Sequence, residues 1–292
     1  MIAVVTDSTA YLPTGWAQAW GIDVVPVQVV IEEVGYDETD ADQAAAVTEA
    51  LLQMRTVTTS RPSPERFTQA IDAAAQSGAS GVVIATLSAQ MSSTYESAVL
   101  AARDAVMDVR VVDSQTIAMG LGFAAVAGAQ AARDGADIQA VAETIARVSA
   151  ATDVTFVVDS LEYLRRGGRI GAARAAVGQA LQVKPILAVR AGTVVEVDRV
   201  RTLSRAMDHL LDHAVRCLSD EPDEQAAASI AVQYTGHAER AEGLAAALGA
   251  KLPGVPIVVC PVGGVVGAHV GPGMVATVIA RGLADPRVRS AD

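Results

Sequence analysis

In the first half of the chain, short apolar runs of strand composition alternate with longer segments of helical composition. The strand-like runs are Ile2–Thr6, Val24–Val30, Val82–Ala85 and Val109–Val112, with Thr155–Val158 following just after the mid-point. The helix-like segments are Ala41–Met54, Pro64–Ala75, Tyr95–Val106, Ala118–Arg133 and Ile138–Val148. This alternation predicts a parallel sheet with helices on both faces, because parallel strands must be joined by crossovers, which are usually helices.

The second half of the chain has a different pattern. Its strand-like runs are Pro185–Val189, Thr193–Val200, Ser229–Tyr234, Ile257–Pro261 and Met274–Ile279. Its helix-like segments are Arg205–Leu218 and Ala238–Leu248. Since Ala191-Gly192 separates two strands by a two-residue turn, we expect a hairpin there, within a mixed or antiparallel sheet that has helices against one face.

The length of the chain predicts two domains, because 292 residues exceed the usual size of a single core. We place the boundary near Ala150-Ala151-Thr152. The expected architecture is an α/β fold with an N-terminal, Rossmann-like domain of residues 1–150. A C-terminal α+β domain of residues 151–292 carries the mixed or antiparallel sheet.

The composition excludes several classes of protein. A net charge of −11 argues against a general nucleic-acid binder and against electrostatic docking on anionic membranes. The longest uncharged apolar stretch, Thr116 to Ala132, is too short to span a membrane, and the N-terminus enters a strand at once. Cys217 and Cys260 lack metal-ligand spacing, so we expect neither a disulfide nor a zinc site. These features predict a soluble, cytoplasmic protein without a metal.

Hydroxyl groups are concentrated where a buried strand meets a helix. Ser92, Ser93 and Thr94 follow the apolar run Gly81 to Ala85 and precede a helical segment. A helix N-terminus presents unpaired N–H groups and the positive end of its dipole, so this junction suits a carboxylate or a phosphate. The alternative is that one of the three hydroxyls simply serves as the N-cap of the helix.

Two glycine-rich segments carry further candidate residues. In Arg165–Gly171, Arg165 and Arg166 suit a helix C-terminus, whereas Arg169 lies beyond the glycines, where it could bind an anion. In Gly267–Gly273 we expect a tight loop that fixes His269, either as a donor or base for a ligand or bonded to the carbonyls of its own loop.

Other polar groups have simpler interpretations. His209, His213 and His237 are expected on solvated helix faces. Thr58 to Pro64 has the pattern of a helix-capping segment, although its hydroxyls also form a cluster of donors. Three strand ends carry an Asp–Ser pair, at Asp7-Ser8, Asp113-Ser114 and Asp159-Ser160. Each pair suits the capping of the following element, at the sheet edge where ligands often bind.

A set of motifs in this order resembles the DegV family, which supplies the fatty-acid-binding subunits, FakB, of bacterial fatty acid kinase. The matching blocks are VTDST (Val5–Thr9), TTSRPSP (Thr58–Pro64), LSAQMSSTYESA (Leu87–Ala98), VVDS (Val111–Ser114), LEYLRRGGRIG (Leu161–Gly171), VKPIL (Val183–Leu187) and GAHVGPG (Gly267–Gly273). Their joint occurrence covers nearly the whole chain, so the resemblance is highly specific.

The resemblance implies a long-chain fatty acid in an interdomain tunnel, with no other cofactor. The carboxylate contacts that it implies are Thr59, Ser92, Arg169 and His269, with Ser60, Ser93, Thr94, Gly168 and Gly271 as secondary candidates. It also implies a separate, ATP-dependent kinase subunit, FakA, that converts the bound acid to an acyl phosphate, so this chain would be a carrier and not an enzyme. The family usually has Gly where Ser93 stands and Gln where Arg61 stands.

Two other functions remain open at this point. An acyl hydrolase could use Ser92, Asp159 and His269, which occur in the Ser–Asp–His order of α/β hydrolases, but the serine lacks the G-x-S-x-G context. A nucleotide-binding enzyme is disfavoured, because the chain has no P-loop lysine motif and no G-x-G-x-x-G after its first strand.

Overall fold

The computed structural model of the chain describes residues 1–38, 41–53, 55–171, 183–219, 228–283 and 285–286. The strands are β1 (Ile2–Asp7), β2 (Ile22–Val25), β3 (Gln28–Ile31), β4 (Val34–Asp37), β5 (Val57–Ser60), β6 (Gly81–Thr86), β7 (Asp108–Asp113), β8 (Asp153–Val157), β9 (Lys184–Arg190), β10 (Thr193–Val200), β11 (Ala228–Tyr234), β12 (Ile257–Pro261) and β13 (Val275–Arg281). The helices are α1 (Trp16–Trp20), α2 (Ala41–Leu52), α3 (Pro64–Gln76), α4 (Thr94–Arg103), α5 (Met119–Arg133), α6 (Ile138–Ala150), α7 (Glu162–Arg166), α8 (Leu203–Ser219), α9 (Ala238–Lys251) and α10 (Gly264–Val270).

The first half forms the predicted parallel sheet, with the strand order β2-β1-β6-β7. The strands β1 and β6 are apolar on both faces, because helices cover the sheet on both sides. Val4 and Val83 belong to the core that contains α5, whereas Val5 and Val82 pack with Phe67 of α3. The fold class expected from the alternating pattern is therefore confirmed for this half.

The second half forms a six-stranded mixed sheet with the order β10-β9-β8-β13-β11-β12. All its neighbouring pairs are antiparallel except β11 with β12. One face packs on α8 and α9, through residues such as Val157, Leu210 and Leu244. The predicted hairpin joins β9 and β10, with both turn residues, Ala191 (φ 46°) and Gly192 (φ 77°), in the left-handed region.

A third, three-stranded sheet with the order β4-β3-β5 was not expected from the sequence. The predicted single strand Val24–Val30 is wrong, because the chain leaves the parallel sheet after Val25 and begins β3 at Gln28. Pro26 lies at this break, and proline cannot donate a hydrogen bond to a sheet. The Thr58–Pro64 segment is also more than a capping segment, since Val57–Ser60 is the strand β5.

The predicted loop at Gly267–Gly273 is wrong in its first part. Residues Gly264–Val270 form the helix α10, and the tight turn comes only afterwards, at Gly271 (φ 73°) and Gly273 (φ 87°). His269 is therefore placed by the last turn of a helix. Met54, the predicted end of α2, lies outside the described residues. The domain boundary at residue 150 stays a prediction; the four-stranded sheet uses strands before residue 114 and the six-stranded sheet strands after residue 152.

Within the described part of the chain, no helix has the length and apolar character needed to cross a membrane.

Two helical glycines give a matched test of the packing. A Cβ on Gly128 of α5 would lie 2.5 Å from Ile145 Cγ1 of α6, whereas a Cβ on Gly243 of α9 meets nothing within 4 Å. We expect Gly128→Ala to lower the free energy of unfolding by about 1–3 kcal/mol through overpacking. Gly243→Ala should raise it by about 0.5–1 kcal/mol, because alanine loses less backbone entropy in a helix. Urea unfolding of both variants measures the two effects, and equal shifts of the same sign would contradict this packing.

Candidate functional site

A cavity of about 360 Å³ lies between the six-stranded sheet and the first half of the chain. The face of the sheet opposite α8 and α9 forms its floor. In the strand register, Val194, Val189, Val154 and Val278 form one row across the sheet, and Phe156, Ala276 and Gln233 form the next. All seven residues line the cavity. The floor is therefore apolar except for one amide.

The remaining walls come from both halves of the chain. Leu87, Met91 and Ile117 contribute from the loops that follow β6 and β7, and Val265 and Val266 contribute from α10. Other apolar lining residues are Val27, Ala118, Leu164, Val262, Val270 and Met274. A cavity of this size and lining is typical of sites for small apolar ligands.

The polar lining residues, apart from Gln233, are contiguous. They are Thr59, Ser60, Arg61, Ser92, Ser93, Arg169 and His269, which we call the polar end of the cavity. Thr59 Oγ1 lies 2.9 Å from His269 Nε2, and Arg169 Nε donates to Met91 O at 3.0 Å, next to Ser92. Arg61 Nη1 donates to Ser93 O at 3.5 Å. The structure thus brings together all four principal residues predicted from the sequence.

The histidine at the polar end is held in its neutral form. Burial, and then the charge of Arg169, lower the pKa of His269 to about 4. Its Nε2 contacts Thr59 Oγ1, while its buried Nδ1 has no hydrogen-bond partner among the described residues. The proton is best placed on Nε2, because only there does an acceptor exist. His269 can then donate to Thr59, which leaves the threonine hydroxyl free to donate to a ligand.

Glycine is required beside this histidine. A Cβ on Gly167 would collide with His269 Nδ1, so only glycine lets the end of α7 pack on the imidazole. The carbonyl of Gly167 also accepts from Arg169 Nη1 at 2.7 Å. The guanidinium of Arg169 is therefore tied at two points, to Gly167 and to Met91, and is exposed at the polar end.

The hydroxyl cluster lies at the start of α4, as predicted. Ser93 occupies the N-cap position, but its side chain makes no capping hydrogen bond, so the simple capping interpretation fails for it. Ser92 Oγ lies 2.9 Å from Thr94 Oγ1. Since Thr94 is fully buried and can act as donor in that pair, it orients the Ser92 hydroxyl from behind.

Three secondary candidates do not line the cavity. Thr94 acts only through Ser92, as described above. Gly168 adopts φ 70° at the end of α7, where a left-handed residue is needed to turn the chain towards Arg169. Gly271 adopts φ 73°, and a Cβ there would collide with the ring of Tyr163. Ser60 and Ser93, the other two, lie at the polar end and are exposed.

The hydrolase alternative is not supported by the geometry. Asp159 pairs with Lys184 Nζ at 3.1 Å and with Arg240 Nη1 at 3.4 Å. Since Nδ1 of His269 has no partner in the described parts of the chain, the aspartate does not orient the imidazole. The Ser92 hydroxyl contacts Thr94 instead of a base. The three side chains therefore do not form a Ser–His–Asp triad.

Two of the Asp–Ser pairs position the loop that carries Ser92. Asp7 Oδ2 accepts from Leu87 N at 2.7 Å, and Asp113 Oδ1 accepts from Ala89 N at 3.1 Å. Burial raises the pKa of Asp7 to about 6, although hydrogen bonds from Thr9 and Leu87 oppose the shift. The two carboxylates lie at the ends of β1 and β7, the strands on either side of β6, and fix the loop between β6 and α4.

A second network, which was not expected from the sequence, lies at the N-terminal end of α10. Glu38 Oε1 accepts from Val265 N at 2.7 Å and from Tyr11 OH at 3.0 Å, and Oε2 accepts from Ser8 Oγ at 2.8 Å. Tyr11 OH in turn accepts from Val266 N at 3.0 Å. Residues of the first half thus bind the unpaired N–H groups of a helix from the second half.

Burial raises the pKa of Glu38 to about 7, against the lowering effect of its hydrogen bonds from Val265, Ser8 and Tyr11. A Cβ on Gly263 would collide with the Glu38 carboxylate, so the approach of the two segments depends on that glycine. The contact between Glu38 and α10 was missed because its partners are more than 200 residues apart in sequence and form no local motif.

We expect Glu38→Ala to lower the free energy of unfolding by about 1–3 kcal/mol, because it leaves Val265 N of α10 and the hydroxyls of Ser8 and Tyr11 without their acceptor. Glu38→Gln should cost less, since its carbonyl can still accept from Val265 N and its amide is uncharged. Urea unfolding of the two variants at pH 7 tests this order. Equal stability of Glu38→Ala and the unaltered protein would show that the network does not hold α10.

His269 predicts a dependence of stability on pH. Its pKa is about 4 in the folded protein and about 6.5 in an unfolded chain, so unfolding takes up a proton between these values. The contribution of His269 to stability should therefore fall as the pH decreases from 7 to 5. We expect the stability of the unaltered protein, relative to His269→Gln, to be lower at pH 5 than at pH 7, as measured by urea unfolding. A difference that is the same at both pH values would contradict a buried, neutral imidazole.

Known proteins resemble this chain over most of its length. A family model described as "Uncharacterised protein, DegV family" matches residues 1–282. A DegV domain-containing protein of Streptomyces coelicolor is 42% identical over 279 residues, which are 95% of this chain and 98% of that protein.

Two solved structures have a similar fold over most of this chain. A DegV family protein from Thermus thermophilus, described by its fatty acid binding, has a TM-score of 0.88 and 29% identity, over 96% of this chain and 99% of its own. DegV from Bacillus subtilis, described as a fatty acid binding protein, has a TM-score of 0.86 and 28% identity, over 96% of this chain and 99% of its own.

Proposed function

The chain belongs to the DegV family, and we propose that it binds one long-chain fatty acid, with the tail in the cavity and the carboxylate at the polar end. The observation that carries this proposal is the separation of polar and apolar residues along the cavity. One contiguous group of hydroxyls, guanidiniums and an imidazole lies at one end, and the rest is apolar apart from Gln233. The two solved relatives described above are fatty-acid-binding proteins, which supports the same ligand class.

The apolar lining supplies most of the affinity. A buried methylene contributes about 0.8 kcal/mol, so a tail of about fifteen methylenes contributes roughly 12 kcal/mol before the cost of ordering the ligand. The valine side chains of the floor form no hydrogen bonds with water that the tail would have to displace. Gln233 does not disturb this surface, because its Oε1 already accepts from Met119 N at 3.0 Å.

The polar end meets the requirement of the carboxylate. A buried carboxylate is costly unless its oxygens accept hydrogen bonds. The hydroxyls of Ser92 and Thr59 can each donate one, and Arg169 provides a guanidinium that is already fixed by Gly167 and Met91. His269, donating to Thr59, keeps the threonine proton directed towards the ligand. Thr59, Ser92, Arg169 and His269 are therefore the proposed carboxylate-binding set, with Ser60 and Ser93 at its rim.

We further propose that the bound acid is phosphorylated by a separate kinase subunit and that this chain acts as the carrier. Ser93, Arg61 and Arg169 are exposed, so a carboxylate beside them is accessible to a partner protein. The sequence lacks a P-loop lysine motif, which is consistent with a nucleotide bound elsewhere. In this role the tail stays in the apolar part of the cavity, while the exposed polar end presents the carboxylate to the partner.

Extraction of the purified protein, followed by lipid mass spectrometry, tests the binding proposal. We expect a long-chain fatty acid in near-stoichiometric amount after expression in bacteria. Protein that is stripped of lipid should rebind a long-chain acid at a ratio of one to one. Stripped, folded protein that binds no long-chain acid would refute the proposal.

The head-group contacts are tested by Ser92→Ala and Arg169→Ala. Each removes a hydrogen bond to a charged group, which is worth about 1.5–3 kcal/mol, so each should weaken fatty acid binding by roughly 10- to 150-fold. Arg103→Ala is the matched control, because Arg103 is exposed on α4 and does not line the cavity. Calorimetric titration with one fatty acid gives the three affinities. Unchanged affinity in both test variants would place the carboxylate elsewhere.

The carrier role predicts that acyl phosphate forms only with a second protein. We expect no product from ATP, Mg²⁺ and the lipid-loaded chain alone, and product when a fatty acid kinase subunit is added. His269→Gln should lower the coupled rate more than it lowers lipid affinity, because the imidazole orients the head group through Thr59. Acyl phosphate made by this chain alone would contradict the carrier role.

A further inference from the structure

We infer that Asp153, His213 and Cys217 form a binding site for Zn²⁺, on the opposite side of the six-stranded sheet from the cavity. Val154 and Phe156 of β8 face the cavity, so their neighbours Asp153 and Thr155 face α8. His213 and Cys217 are four residues apart on α8, and hence on one face of that helix. The three side chains converge from two different elements.

The geometry differs from that of a proton relay. In a relay, the two ring nitrogens of histidine serve two different partners. Here both partners lie on the same nitrogen, since Nε2 is 3.0 Å from Asp153 Oδ1 and 3.5 Å from Cys217 Sγ. A single N–H cannot satisfy both groups well. A cation among the three donor atoms would bind all of them at once.

The distances fit a tetrahedral zinc site. With Zn–N of about 2.05 Å, Zn–S of about 2.3 Å and Zn–O of about 2.05 Å, tetrahedral angles place N and S about 3.6 Å apart and N and O about 3.3 Å apart. The corresponding distances are 3.5 Å and 3.0 Å, and all three donor atoms lie within 4.8 Å of one another. Small side-chain rotations are therefore enough to admit the ion, with water as the fourth ligand.

Surrounding groups hold the donor atoms in place, as they do around established metal ligands. Arg190 Nη2 donates to the outer oxygen of Asp153, Oδ2, at 2.7 Å, and so leaves Oδ1 directed towards His213. Thr155 Oγ1 donates to Oδ1 at 2.8 Å. The ring of His209 stacks on that of His213, with centroids 6.4 Å apart.

The combination of ligands selects the kind of ion. Imidazole nitrogen, thiolate sulphur and carboxylate oxygen together suit Zn²⁺, whereas Mg²⁺ and Ca²⁺ prefer oxygen ligands alone. Side-chain exposure of 13% for Asp153 and 22% for His213 leaves an entry path from solvent. The ion would join β8 to α8 and stabilise the domain behind the cavity floor.

Neither a zinc site nor a half-buried histidine at position 213 was expected from the sequence. The cysteines were judged by their mutual spacing, but the proposed site uses only one of them. Its third ligand, Asp153, lies 60 residues before His213.

Titration of the purified, full-length protein with Zn²⁺ and with Co²⁺ tests the site. We expect one Zn²⁺ per chain by calorimetry, and with Co²⁺ the near-ultraviolet absorption band of a thiolate–cobalt bond. Cys217→Ser and His213→Gln should each weaken Zn²⁺ binding at least 30-fold, and Cys217→Ser should abolish the absorption band. His237→Gln and Cys260→Ala are the controls and should retain both signals, since neither residue belongs to the cluster.

The change in melting temperature on adding Zn²⁺ tests the site even if a variant is less stable, because each variant is compared with itself. Zn²⁺ should raise the melting temperature of the unaltered protein and of His237→Gln, but not that of Cys217→Ser measured against its own zinc-free baseline. Absence of stoichiometric binding to the unaltered protein would overturn the proposal, as would a band and an affinity that persist in Cys217→Ser. Fatty acid binding is measured separately, so its failure would not affect this result.

Discussion

The position of α10 is the constraint on which the cavity depends. This helix has only seven residues and carries both apolar wall residues and His269. Helices so short are not stable in isolation, so contacts at the two ends must fix it. Glu38 and Tyr11 bind its first N–H groups, and Thr59 contacts the imidazole in its last turn. Both sets of contacts come from the first half of the chain, so the cavity exists only when the halves are joined.

Burial of the Glu38 carboxylate costs desolvation free energy, but it lets the residue bind the N-terminus of α10 at the wall of the cavity. Its pKa of about 7 shows that the charged form is disfavoured by desolvation, although three groups donate to it. A fully apolar contact would leave the N–H groups of Val265 and Val266 unpaired, which is also costly. The polar network therefore connects the two halves of the chain. The valines of the floor and of α10 provide an apolar surface for the ligand.

The polar end and the floor are built by different rules. The floor follows from strand alternation, since every second residue of β8 and β13 points into the cavity and the others pack on helices. The polar end is assembled from four separate segments, and each donor is fixed by a neighbouring group. Thr94 orients Ser92, Gly167 and Met91 hold Arg169, and His269 orients Thr59.

The parallel sheet, the mixed sheet and the hairpin at Ala191-Gly192 were predictable, because periodicity and turn residues are local signals. The three-stranded sheet was missed because its strands are short and β4 is exposed, so burial does not mark it. The residues of the polar end were identified through family motifs, which preserve contacts between distant segments. Glu38 had no such motif.

The helix that carries His269 was also not predicted from the sequence. The glycines around His269 predicted a loop, whereas small residues at Gly263 and Gly264 allow a closely packed helix there.

A crystal structure of the protein with a bound long-chain fatty acid tests the central claim most directly. We expect a carboxylate within hydrogen-bond distance of the Ser92 and Thr59 hydroxyls and beside Arg169. The tail should pass between α10 and the sheet, in contact with Phe156 and Val278. A carboxylate directed towards Gln233, or an acid bound outside the cavity, would contradict it.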